Sequence, residues 1–325
     1  MESSDMPPLA LGGPAAATPP GGWRDVAWCG LWLKVPRDFG PYQVKGDARR
    51  GQLGLACDGE PRLTIQWAEV KRRKINTGRL VRRQIFRGLG RRAARRLEPH
   101  LRSVENEDIA PMWCVCDPDA EHTRCLGFAA SSRRLVHLVY GHGTTLQDQS
   151  VRRGAFAGLA DQDPDRPQRW AMFDLSFIGP AGATYESSVL NMGDMHVRLA
   201  LQRGHLVVRE IYPADLALRR QPLEKWMEQL IAAHKSHYAP PGDFDALQTR
   251  RGAGLSCRAK LKRRRRLLSW RTPREQVHWL IHDQRSHRLV WIEMAKRKTD
   301  VAPAMRRLIE QSNWAEGGDA AAAPP

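Results

Sequence analysis

Residues 125–140, CLGFAASSRRLVHLVY, and residues 279–294, WLIHDQRSHRLVWIEM, decide the fold. Each is an apolar run, a short polar turn and a second apolar run, which is how a β-hairpin reads. Superposed, the two put Leu126 on Leu280, Ser132 on Ser286, Arg134 on Arg288, Leu135 on Leu289 and Val136 on Val290. The chain uses one hairpin twice, and the segments around each copy predict that a whole unit is duplicated.

Upstream of the first copy, residues 30–36 place Leu31, Leu33 and Val35 on one face and end at a proline, as a strand does. Residues 52–57 and 62–70 follow as two more strands across the turn Asp58-Gly59-Glu60-Pro61, with Leu63, Ile65 and Trp67 alternating. In residues 77–97, Val81, Ile85, Leu89 and Ala93 recur every fourth position, predicting a helix capped by Asn76 or Thr77. Gly88 and Gly90 each weaken that helix by roughly 1 kcal/mol relative to alanine and allow a bend or break. A strand at 112–116, the hairpin, and a short helix at 146–159 complete the unit.

The second copy has the same surroundings. Residues 172–178, 196–201 and 205–212 read as strands, and 222–234 as a helix opened by Pro222. A strand ending at Trp270, the hairpin and a helix after Pro303 follow. Each unit reads βββ-α-βββ-α, so the expected fold class is α+β: two duplicated domains, each an antiparallel sheet with packed helices. The expected organisation is a disordered leader over 1–22, a first repeat over 23–160, a linker over 161–168, a second repeat over 169–316 and a disordered tail over 317–325. This element order, with its closing helix, resembles the PsbP-like fold, a small α/β sandwich of photosystem and Ran-binding proteins. The resemblance covers residues 23–159 and 169–314 without a diagnostic motif. It implies a non-catalytic binding or assembly factor and carries over no functional residue.

The chain has 52 basic against 35 acidic residues among 325, a net charge of +17, which favours an anionic partner. Arginine supplies 42 of the 52 in a chain also rich in Ala, Gly and Pro, as a GC-rich coding bias alone would give, so the distribution of charge is the better guide. Residues 70–97 hold 12 Lys or Arg and no Asp or Glu. The candidate polyanion-binding residues are Arg72, Arg73, Lys74, Arg79, Arg82, Arg83, Arg87, Arg91, Arg92, Arg95 and Arg96, with a second run at Lys262, Arg263, Arg264, Arg265 and Arg266. The corresponding helix of the second unit carries Glu224 and Glu228 instead, so folding does not demand the arginines. Nucleic acid is the expected partner and an acidic protein the alternative. Trp67 and Trp270 stand near the basic runs as candidate stacking platforms. No stretch approaches the ~20 apolar residues of a membrane helix, and no export signal accompanies the six cysteines, so the reading is cytoplasmic.

Motifs for phosphate loops, zinc helices, nucleophile elbows and dinucleotide turns are absent from the sequence, and no cofactor is implied. The most metal-like group is Cys114, Cys116, His122 and Cys125, whose C-x-C spacing departs from the usual C-x₂-C. Cys125 with His137, and His278 with His282 and His287, are weaker constellations. The expected function is a non-catalytic polyanion-binding protein; the alternatives are a protein-protein adaptor and a metal-dependent enzyme.

Overall fold

The computed structural model describes residues 22–71, 76–117, 122–141, 154–173, 175–191, 193–233, 238, 243–249, 251–262, 273, 275–296 and 301–311. The chain divides into two units, Met1–Asp163 and Pro164–Pro325.

In the first unit, β1 (Trp23–Trp28) and β2 (Leu31–Pro36) form a hairpin turning through Cys29 and Gly30, both at positive φ. Then come β3 (Gly40–Gly46), β4 (Arg50–Cys57), β5 (Glu60–Glu69), β6 (Arg102–Val104), β7 (Ile109–Asp117), β8 (His122–Ala129) and β9 (Arg134–Gly141). These seven make one antiparallel sheet in the order β3-β4-β5-β9-β8-β7-β6. The two-residue β10 (Ala160–Asp161) pairs with β2. Between β5 and β6 lie α1 (Thr77–Gln84) and α2 (Arg91–Leu97). Val81, Ile85 and Leu97 of this region join Val115, Leu126 and Phe128 in one buried cluster, so the helices cover the β7–β8 part of one sheet face. On the other face Leu53, Leu63, Ile65, Cys125, Val136 and Leu138 are buried. Strands buried on both faces read as continuous apolar runs, which is why the β8–β9 hairpin stands out in the sequence.

In the second unit, β11 (Gln168–Met172) and β12 (Leu175–Gly179) form a hairpin. It is followed by β13 (Thr184–Asn191), β14 (Asp194–Leu201), β15 (Gly204–Ile211), α3 (Ala214–Arg220), α4 (Leu223–Ala233), β16 (Asp245–Thr249), β17 (Gly252–Lys260), β18 (Glu275–Asp283), β19 (Arg288–Lys296) and α5 (Val301–Gln311). The sheet order β13-β14-β15-β19-β18-β17-β16 is the same permutation as in the first unit. Met227 and Leu230 of α4 pack with Leu280, Leu289 and Trp291 on one face. Helix α5 packs against β12, β18 and β19.

The α+β expectation of helix-packed βββ-α repeats is overturned. The chain is mostly β, built on large antiparallel sheets, and helices α1 to α5 have 7 to 11 residues each. The strands missing from the sequence reading are β1, β3, β6, β10, β13, β16 and β17, and the single strand over 172–178 is the end of β11 and most of β12. β3, β13 and β16 are polar and half-exposed or exposed along most of their length, so they lack the apolar alternation that marks a half-buried strand. The helix over 77–97 is two helices: the chain turns at 85–88 and Gly88 takes φ +84°, a left-handed conformation open to glycine. Of the helix over 146–159, residues 154–157 are helical and 146–153 lie outside the described residues. The second unit's counterpart of β7 is β17, ending at Lys260, and not a strand ending at Trp270, which lies outside the described residues. No described helix is long and apolar enough to cross a membrane.

Candidate polyanion interface

Helix α1 begins at Asn76, whose side chain accepts the N–H of Arg79 at 2.9 Å. Its single buried residue is Val81, and Leu97 is the single buried residue of α2, while the exposed surface of the two helices is all arginine. On that surface Arg79, Arg82, Arg83, Arg87, Arg91, Arg92, Arg95 and Arg96 are all exposed. Two are engaged. Arg82 lies over the ring of Trp113 at 5.7 Å, and Arg96 donates to Asp117 at 3.1 Å. The other six make no ion pair among the described residues. Unpaired guanidiniums held at this density repel one another, a cost that a bound polyanion removes.

Arg72, Arg73 and Lys74 lie outside the described residues, as do Arg263, Arg264, Arg265 and Arg266. Lys262 is exposed just beyond β17. Trp67 is not a stacking platform: it is buried, and its indole N–H donates to the carbonyl of Asp47 at 2.7 Å.

No protein family and no curated protein matches the chain. Two solved structures align with it, both of the immunity protein TplEi of the T6SS from Pseudomonas aeruginosa, one complexed with "L" peptide and one apo. Each covers 89% of this chain and 96% of its own at 12% identity, with TM-scores of 0.31 and 0.27. A likeness at that level carries no argument about this chain.

The metal-like group does not assemble. In the β7–β8 ladder Cys114 stands opposite Cys125 and Cys116 opposite Thr123, which puts the three thiols on one face. His122 stands opposite Asp117 and points to the other face, where Arg124 Nε donates to its Nε2 at 2.7 Å. Among the described residues no three His, Cys, Asp or Glu side chains are arranged to hold a metal. The same register separates Cys125 from His137, which is paired with Leu126. Burial pushes the thiols of Cys29 and Cys257 up to about 12, so neither supplies a thiolate at neutral pH. His287 sits in the β18–β19 turn at φ 54° and contacts Asp215 at 3.0 Å, apart from His278 and His282 on β18.

What the sequence reading missed is a buried polar group on the second sheet. Glu293, 1% exposed, accepts from His205 Nε2 at 2.6 Å, and its second oxygen lies 3.7 Å from His278 Nδ1. His278 is stacked on Trp291 at 5.9 Å between ring centres, and Gln276 Nε2 is 3.4 Å from the His205 ring. The signal was there: Glu293 is the one charge in the run LVWIEMA, and a charge at the centre of a buried strand needs partners. This group joins imidazole and carboxylate in one buried set, and no nucleophile stands within it among the described residues.

Proposed function

We propose that the protein is a non-catalytic binding protein that engages a polyanion, nucleic acid foremost, through α1 and α2 of its first unit. The observation that supports this reading is the set of six exposed, unpaired arginines between positions 79 and 95. Helices α3 and α4, which pack on the equivalent sheet of the second unit, carry Asp215, Glu224 and Glu228 among their basic residues, so the arginines are additional to what the fold requires. Guanidinium contacts to phosphate are independent of sequence and weaken steeply with salt.

Retention on immobilised heparin tests the surface. The Arg83, Arg87, Arg91, Arg92→Gln variant is compared with a charge-matched control, Arg203, Arg219, Arg220, Arg285→Gln, which neutralises four exposed arginines of the second unit. The reading expects the first variant to elute at clearly lower salt and the control to elute close to wild type. Equal shifts for the two would mean that total charge, and not α1–α2, governs binding. An acidic protein would meet the same surface, and oligonucleotide titration separates the two partners.

A further inference from the structure

The seven-stranded sheet of the first unit ends at β6, and β10 is the outer strand beside β2. Between these two edges lies an open cleft of about 690 Å³. Ser103 and Val104 of β6 and Ala160 of β10 line its sides, with Trp32, Ala110 and Pro111 supplying accessible apolar surface. The walls are tied together. Asn106 Oδ1 accepts the N–H groups of Asp108 and Ile109, while its Nδ2 donates to the carbonyls of Phe156, Ala157 and Leu159 at 2.9 to 3.1 Å. One side chain thereby fixes the β6–β7 loop against the helical turn that leads into β10, so the cleft is formed before anything enters it.

An edge strand presents unpaired N–H and C=O groups, and an extended peptide satisfies them by lying alongside. The loop sets the charge of the occupant. Glu105, Glu107 and Asp108 line the cleft, are exposed, and make no ion pair among the described residues. No Lys or Arg lines it, although the chain as a whole carries a net +17. We infer that this cleft binds an extended peptide segment of a partner protein in which Lys or Arg alternates with apolar residues. The peptide backbone pairs with β6 or β10, the apolar side chains meet Trp32, Ala110 and Pro111, and the cations meet the three carboxylates. This site is separate from the arginine surface and does not depend on it.

The probe is a phage-displayed library of random dodecapeptides selected on the full chain. Enriched sequences are synthesised with a fluorophore and titrated against wild type and a Glu105→Gln, Glu107→Gln, Asp108→Asn variant, whose substitutions are on exposed positions and keep side-chain shape. The inference expects enriched peptides bearing Lys or Arg among apolar residues, at least tenfold weaker binding to the variant, and slowed amide exchange over 102–104 or 160–161 when the peptide is bound. Absence of such peptides from the enriched pool overturns it. So does equal binding to wild type and variant. If instead the chain self-associates in sedimentation, the triple variant dissociates it and no basic peptide competes, the cleft belongs to a second copy and the inference is wrong.

Discussion

His137 is one of the residues at which the two copies of the hairpin differ, since the second copy carries Trp291 at the equivalent place. Burial, and then the Arg124 guanidinium and the His122 imidazole, push its pKa down to about 4, and its Nε2 is buried without a hydrogen-bond partner among the described residues. The unfolded chain takes this proton near pH 6.5, whereas the folded chain refuses it until about pH 4. Falling pH therefore favours unfolding through that window and adds nothing below it, a loss of roughly 3 kcal/mol when complete. His137→Phe is expected to flatten the melting temperature against pH between 6.5 and 4, leaving stability at pH 7 equal or higher. Parallel curves for variant and wild type would contradict this account. Arg134, by contrast, is one of the residues the copies share, and the structure shows why. Its guanidinium is buried, donates to Asp161 and reaches the carbonyl of Cys29; in the second unit Arg288 donates to Glu210 at 2.6 Å. The match between Arg134 and Arg288 was visible in the sequence, but their partners were not, because Asp161 and Glu210 come from unrelated strands. Arg134→Met strands a buried carboxylate and is expected to lower unfolding free energy by about 3–5 kcal/mol in denaturant titration. A loss below about 1 kcal/mol would mean that Asp161 is satisfied otherwise.

At the scale of elements, the interior strands of the two seven-stranded sheets were legible apart from β17, and their edges were not. Leu63, Ile65 and Trp67 alternate cleanly because β5 lies between β4 and β9 with one face deeply buried. Strands β13 and β16 terminate their sheet and carry little buried surface, so nothing in their composition separates them from loop. The basic helix was legible as a pattern of apolar residues, yet its interruption rests on Gly88 alone reaching φ +84°. A Cβ at Gly88 meets no atom within 4 Å, so Gly88→Ala tests the backbone and nothing else. Its expected cost is about 1 kcal/mol, from forcing alanine into the left-handed region. If alanine stabilised the protein, α1 and α2 would be joining into one helix, and the two-helix description would fail.

At the scale of the molecule, one strand order is used twice and charged differently. The first unit puts arginine on the helices that cover its sheet; the second puts a mixture there. Repetition and charge were both readable from the sequence. Which arginines are free was not, since only the fold brings Trp113 under Arg82 and Asp117 to Arg96. The acidic cleft was equally hidden, because Trp32, Glu105 and Leu159 come from distant stretches of chain. The claim on which the functional account stands is that α1–α2 binds nucleic acid. Fluorescence anisotropy of labelled single-stranded and duplex oligonucleotides, titrated at several salt concentrations, tests it most directly. Wild type is expected to bind with a steep dependence of log affinity on log salt, and Arg83, Arg87, Arg91, Arg92→Gln to lose up to about 3 to 4 units of that slope on duplex. Binding by both proteins with the same slope, or by neither near physiological salt, would contradict the account.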